Sequence, residues 1–259
     1  MTAMPNDPDY VQSLARGLSV IEAFTAARRP LTLSDVARRA GISRAAVRRM
    51  LHTLCGLGYV GTSDGKFFAL KPRVLGLGYA YLSTLSLREI AEEYMQRLVD
   101  RLHESCSMSV LDGDDIVYVA RVPSKRIMTI GLTVGTRLPA YPTSMGRVLL
   151  AGLPDAKLDT YLQSAALKQL TARTVVEPER LRETIMAVRA QGFAIVDQEL
   201  EEGVRSVAVP IHDPRRNVAA AVNMSAHAAR VSIDELKRRF LPLLREAADK
   251  IEMVLPGRV

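Results

Sequence analysis

The chain has 259 residues, 48% of them apolar and 24% charged, enough to bury one large core or two modest ones and too apolar for a disordered chain. Its two cysteines, Cys55 and Cys106, exclude a disulfide framework or a cysteine metal cluster, and no apolar run approaches the roughly 18 residues that cross a bilayer. The net charge of +7 is uneven: residues 1–83 carry eleven Lys and Arg against five acids, which points to a polyanion partner for the head alone.

The opening MTAMPNDPDY has no basic flank followed by an apolar core, so no leader peptide, a cytoplasmic location and no membrane partner are expected. Leu14, Leu18, Ile21 and Phe24 then recur at helical spacing and predict a first amphipathic helix that stops near Arg29 and Pro30. Thr32 and Asp35 stand at the spacing of a capping box. The short helix that follows, Val36 to Ala40, ends at Gly41, where a residue without Cβ takes positive φ, and Ser43 is placed to cap a third helix. Two helices joined by a glycine-containing turn form the core of a helix-turn-helix.

In the third helix, RAAVRRMLHTL, the residues Val47, Met50, Leu51 and Leu54 make one apolar stripe. Ala45, Arg48, Arg49 and His52 point away from it. Arginine bonds the O6 and N7 of guanine in pairs, or the phosphates, so this face suits a major groove. The alternative is an ordinary solvated basic face; the capped helix before it, the tight turn and the local charge favour DNA. The candidate contacts are Thr32, Ser43, Arg44, Ala45, Arg48, Arg49 and His52. Next, two β-prone runs flank Asp64 and Gly65 between Gly58 and Leu70, which predicts a hairpin wing. Lys66 and Thr62 could touch DNA there, whereas Tyr59, Phe67 and Phe68 are expected to pack.

Residues 73–86 (RVLGLGYAYLSTLS) form an apolar helical band that needs a partner surface. A dimer contact is the first reading and packing onto its own head the alternative. From residue 87 the pattern is α+β. A helix from Leu87 to about Glu104 leads to strands at Cys106–Leu111, Ile116–Val122 and Ile127–Thr133, with a turn at Asp112–Asp115. Leu138–Thr143 reads as a loop feeding a helix near Ser144, followed by helices at about 155–165 and 178–191. Strands at Phe193–Val196, Ser206–Pro210 and Val218–Met224 and a terminal helix from Ser232 to Val254 complete the chain. A six-stranded antiparallel sheet with helices packed on it is similar to the GAF sensing domains. The division expected is 1–72 for a winged helix-turn-helix, 73–86 for a linker helix and 87–259 for an effector-binding and oligomerisation domain.

Catalytic patterns are lacking. No glycine-rich phosphate loop occurs, and Thr143–Gly146 is not a GxSxG elbow. Ser144, His212 and Asp197 would make a triad on composition alone, and His103, His212 and His227 lack metal spacing, so no enzyme activity, cofactor or metal is expected. Small polar residues do gather at strand and loop edges. Ser144 and Met145 open a helix whose amides suit an anion, and Asp197, Ser206, Asn223 and Ser225 lie at strand ends. Such groups among apolar walls fit a small-ligand pocket; capping and turn roles are the alternative for each.

Six ordered blocks carry a resemblance: DPDYVQSLARGLSVIEAF (7–24), SRAAVRRMLHTLCGLGYV (43–60), LGYAYLS (77–83), GTRLPAYPTSMGRVLLA (135–151), QGFAIVDQELEEGVRSVAVPI (191–211) and NMSAH (223–227). Over essentially its whole length the chain resembles the IclR-type transcriptional regulators, most closely the PcaR/PcaU/PobR branch that controls protocatechuate, 4-hydroxybenzoate and β-ketoadipate catabolism. The resemblance implies a winged helix-turn-helix, a linker helix and a GAF-like effector domain acting on operator DNA as a homodimer or dimer of dimers. It also implies an aromatic or dicarboxylic acid effector, with RNA polymerase a further partner if the protein activates. Effector contacts implied are Ser144, Met145, Ser206, Asn223 and Ser225, with Asp197 beside them. Arg137, Tyr141 and Arg205 lie in matching blocks; either arginine could pair with a ligand carboxylate or be a structural ion-pair partner. An enzyme tethered by the head and a ligand-independent architectural DNA binder are the other classes open, separated by turnover assays and by a thermal-shift screen with aromatic acids.

Overall fold

The computed structural model describes residues 9–25, 27, 29–62, 64–77, 87–124 and 132–254, in two units, Met1–Thr84 and Leu85–Val259. In the first unit α1 (Gln12–Glu22) is followed by β1 (Leu31–Thr32), α2 (Leu33–Ala40), α3 (Arg44–Gly56), β2 (Val60–Thr62) and β3 (Phe67–Leu70). Thr32 starts α2 with the capping box expected: its Oγ1 accepts the Asp35 amide at 3.2 Å, and the Asp35 carboxylate accepts the Thr32 amide at 3.3 Å. Gly41 ends α2 at φ 67°, and the Ser43 hydroxyl accepts the Ala46 amide to open α3. Val20, Phe24, Leu31, Val36, Val47, Leu51, Leu54 and Val60 form the core beneath.

Three details of this unit differ from the sequence reading. Only the last turn of α1 and the residues just after it reach the core, through Val20, Ala23 and Phe24, so Leu14 and Leu18 are exposed although they fall on the same periodic stripe. Strand alternation turns Phe68 toward the core and leaves Phe67 facing outward, 45% exposed, rather than packed. The hairpin also gains a third strand, since β1 pairs with β3 (Leu31 opposite Phe68, Thr32 opposite Phe67) in the order β1-β3-β2. Beyond the wing a 3-10 turn, Pro72–Val74, leads into helical residues 75–77 with Leu75 and Leu77 exposed. Most of the apolar band, residues 78–86, lies outside the described residues.

The second unit runs α4 (Leu87–Leu102), β4 (Ser105–Asp112), β5 (Asp115–Val122), β6 (Arg137–Pro139), α5 (Ser144–Ala151), α6 (Asp155–Ser164), α7 (Pro178–Gln191), β7 (Ala194–Asp197), β8 (Val204–His212) and β9 (Val218–His227). A final helical run contains Ile233–Glu235, a π-helical turn at Leu236–Phe240, and α8 (Leu241–Val254). The six strands pair antiparallel in the order β6-β5-β4-β9-β8-β7. The sixth strand is not the one expected. Residues 127–131 lie outside the described residues and Leu132 and Thr133 are not extended into the sheet, whereas β6 falls inside the segment read as a loop. Three residues are too few to show alternation, and Pro139 is tolerated because β6 is an edge strand.

Alternation sorts the sheet into two faces. Cys106, Met108, Val207, Val222 and Met224 are buried on the side covered by α4 and α8. The other side meets α5 and α7 through Tyr118, Ala208 and Ala221. Two contacts seat α5 there. A Cβ added to Gly146 would lie 2.0 Å from the Ala140 carbonyl oxygen, so only glycine lets the helix come this close. One turn position on, buried Arg147 grips the Glu199 carboxylate with both terminal nitrogens at 2.7 and 2.5 Å and donates its Nε to the Tyr141 carbonyl. Glu199 also accepts the Val175 amide. Removing one member of a buried ion pair strands the other charge, so Arg147→Met and Glu199→Leu should each cost about 3–5 kcal/mol in urea unfolding. The double variant should cost clearly less than the two single losses added.

Candidate nucleic-acid interface and buried polar site

In the first unit the arginines divide by what they touch. Arg38 and Arg29 pair with Asp35, Arg39 donates to the Ala23 carbonyl, and Arg73 donates to the Leu57 carbonyl while lying over the Tyr59 ring. Arg44, Arg48 and Arg49 are exposed on α3 and have no ion-pair partner among the described residues. Ala45 and His52 share their outward face, while Val47, Leu51 and Leu54 are buried behind it. A docked helix presenting unpaired guanidinium groups and a small residue in its first turn has the shape and charge to enter a major groove. Lys66 is exposed at the hairpin turn, where Gly65 takes φ 69° and Asp64 accepts the amides of Lys66 and Phe67; those two bonds hold the Asp64 carboxyl below the usual carboxylate range. Ser43 stands at the helix entrance as its cap. Thr32 is different: its hydroxyl is committed to both the amide and the carboxylate of Asp35, which leaves it a structural cap rather than a free donor.

In the second unit a polar stripe crosses the sheet on the α5 side. Ser107 stands between Arg121 on β5 and Asn223 on β9, and Ser105 opposite Ser225, which in turn pairs with Ser206 on β8. The first turn of α5 reaches this stripe. Ser206 donates to Ser144 Oγ at 2.8 Å, and Ser109 donates to the Met145 sulfur at 3.3 Å. Asn223 donates to Ser225 Oγ at 3.1 Å, and Arg121 donates to Ser107 Oγ at 3.2 Å. All but Arg121 and Ser225 are buried. Ser144, Met145, Ser206, Asn223 and Ser225 are therefore brought together in one polar group on this face. The serines of β4 and Arg121 belong to it too. Their signal is in the sequence: in Ser105-Cys106-Ser107-Met108-Ser109 every second residue is a small hydroxyl on an otherwise buried strand.

Four expected contacts do not join the group. Arg205 and Asp197 face each other on the opposite side of the sheet from Ser206, paired at 2.8 Å, with Arg173 on the same carboxylate. Arg137 lies on edge strand β6 and pairs with Asp112 and Asp115. Both arginines are thus the structural ion-pair partners that the residues left open. Buried Tyr141 uses its hydroxyl to bond the Lys168 carbonyl and amide, fixing the following loop. Nor is a triad assembled: Ser144 bonds Ser206, Asp197 bonds arginine, and His212 bonds Glu252 at 2.7 Å.

Family models match both units: "Bacterial transcriptional regulator IclR C-terminal" over residues 79–253 and "IclR helix-turn-helix domain" over residues 13–64. The chain is 52% identical over 247 residues to the Pca regulon regulatory protein of Pseudomonas putida, covering 95% of this chain and 84% of that one. It is 37% identical over 248 residues to the p-hydroxybenzoate hydroxylase transcriptional activator of Acinetobacter baylyi, covering 94% and 91%. The crystal structure of an IclR homolog complexed with 4-hydroxybenzoate from Microbacterium hydrocarbonoxydans aligns with a TM-score of 0.81 at 26% identity, over 93% and 98% of the two chains.

The unpaired guanidinium groups make a direct prediction. Arg48→Ala and Arg49→Ala should leave the unfolding free energy within about 0.5 kcal/mol of the parent, because both side chains are exposed and have no ion-pair partner among the described residues. Each should weaken duplex binding, and an arginine lost from a phosphate should lower the slope of log affinity against log salt by about 0.9. Unchanged DNA affinity, measured by fluorescence anisotropy, would place the nucleic-acid face elsewhere.

Proposed function

The chain belongs to the IclR family of bacterial transcriptional regulators, and on that footing we propose that it regulates genes of aromatic-acid catabolism in response to a small acid. The carrying observation is the pairing, in one chain, of an unpartnered basic recognition face on α3 with a buried polar stripe under α5. The names of two relatives, a Pca regulon regulator and a p-hydroxybenzoate hydroxylase activator, support the catabolic assignment, as does a structural relative that binds 4-hydroxybenzoate.

In this reading residues 1–72 read operator DNA, residues 73–86 link, and residues 87–259 bind the effector and oligomerise. Arg44, Ala45, Arg48, Arg49 and His52 meet the major groove, Ser43 orients the helix entry, and Lys66 meets phosphate. An aromatic or dicarboxylic acid binds among Ser144, Met145, Ser206, Asn223 and Ser225. The protein works in the cytoplasm as a homodimer or dimer of dimers, with RNA polymerase a partner where it activates. Among the described residues no helix is long and apolar enough to cross a membrane. Two heads occupy half-sites one helical turn (~34–36 Å) or a multiple apart. The effector acts by binding one arrangement of the dimer better than another, and its leverage on DNA cannot exceed that difference in affinity.

The test is operator binding by the full chain, using DNA upstream of its own gene, with and without 4-hydroxybenzoate, protocatechuate or β-ketoadipate. At least one acid should change affinity, DNA bending or transcription. If saturating amounts of all three leave every one of these unchanged while DNA binding persists, the effector reading falls and an architectural DNA binder is left.

A further inference from the structure

Among the described residues of the second unit, Arg121 is the one arginine that is withdrawn from full exposure and lacks a carboxylate; Arg101, Arg180, Arg215 and Arg245, also without an ion pair, are exposed. Arg137, Arg147, Arg173, Arg182, Arg189, Arg205 and Arg230 each contact at least one carboxylate. Arg121 is half-buried on the polar stripe and has no carboxylate partner among the described residues; of its five donors, one bonds Ser107 Oγ. Burial holds its pKa below the usual guanidinium value, the mark of a cation that has lost water without gaining an anion. Two strands away, Asn223 is 4% exposed, and its Oδ1 is buried with no hydrogen-bond partner. That atom accepts, so its missing partner is a donor. An unfilled anion site and an unfilled acceptor therefore share one face of the sheet, with Ser107 between them and Tyr118 on the same face. Adjacent strands lie about 4.8 Å apart, so the two backbones stand roughly 10 Å apart, with the Arg121 side chain leaning to Ser107 on the strand between them.

We infer that Arg121 is the carboxylate anchor of the effector site and Asn223 its hydroxyl acceptor, so that the ligand is a ring acid with carboxylate and hydroxyl on opposite edges, laid over β4. This rests on the effector reading above and adds to it the orientation and the selecting residues. The second unit's other stripe groups, Ser144 with Ser206 and Ser109 with Met145, already bond each other.

The test is calorimetric titration of the full-length protein with 4-hydroxybenzoate, benzoate and the uncharged isostere 4-hydroxybenzamide, on the parent, Arg121→Gln, Arg121→Lys and Asn223→Leu. The parent should prefer the acid to the amide by at least about thirtyfold and 4-hydroxybenzoate to benzoate by roughly tenfold. Arg121→Gln should erase the preference for acid over amide while keeping its melting temperature, and Arg121→Lys should restore part of it. Asn223→Leu should erase the hydroxyl preference alone. A purely structural Arg121 would weaken all three ligands equally, and that result overturns the proposal. A parent that binds the acids while Arg121→Gln binds them as well also overturns it and leaves the effector reading standing. A parent that binds none of the three, nor protocatechuate or β-ketoadipate, overturns both.

Discussion

The sensing half of the molecule depends on how closely one helix can approach one loop. The backbone of Gly146 passes so near the Ala140 carbonyl that no side chain fits between them, and this sets the depth at which α5 lies on the sheet. At that depth Ser144 meets Ser206, Met145 meets Ser109, and Arg147 reaches Glu199. The Arg147–Glu199 pair does more than bridge two side chains. Tyr141, Thr174 and Val175 bond the same two residues, so α5, the strand-connecting turn after β7 and the segment around residue 174 form one polar network in the interior. A network of this kind is stable when every member is bonded and costly when one is lost. It gives the first turn of α5 a fixed seat against the polar stripe.

Arginine serves opposite purposes in the two units, and the neighbouring acid decides which. On α3, a helix without an acidic residue, Arg44, Arg48 and Arg49 face solvent, free to exchange counterions for a polyanion. On the sheet, Asp197 neutralises Arg205, and Asp112 and Asp115 neutralise Arg137. Arg121 sits between these cases, partly withdrawn from water and held, among the described residues, by a serine hydroxyl alone. Counting charges set the head apart but could not separate Arg121 from Arg137 and Arg205, all arginines on a nearly neutral domain.

The parts legible in the sequence were those whose chemistry is local. Thr32 with Asp35, Gly41, Ser43 and the pair Asp64 and Gly65 act within a few residues of themselves, and each sits where its spacing put it. Long strands such as β8 and β9 were legible because alternation repeats enough times to be seen. What failed was set by distant partners. Two-residue β1 and three-residue β6 exist because β3 and β5 offer them an edge. Leu14 and Leu18 obey the helical period but lie beyond the reach of the head's core. Arg205 was placed beside Ser206 in sequence, and strand geometry puts neighbours on opposite faces. Arg121 was missed because its neighbour Ser107 is set by pairing across β4 and β5, which no local pattern shows.

The distribution of the two thiols has a use of its own. Cys106 lies fully buried in the middle of the second unit's sheet, and burial raises its pKa, so the reactive thiolate is suppressed while the sheet is closed. Cys55 lies half-buried against the core of the first unit. Each unit therefore carries one native thiol tied to its own packing. Alkylation timed under native conditions reports, at Cys106, how often the sensor sheet opens and, at Cys55, how often the reading head does. The chain thus contains two separate clocks for local unfolding, one for each half, with no label introduced.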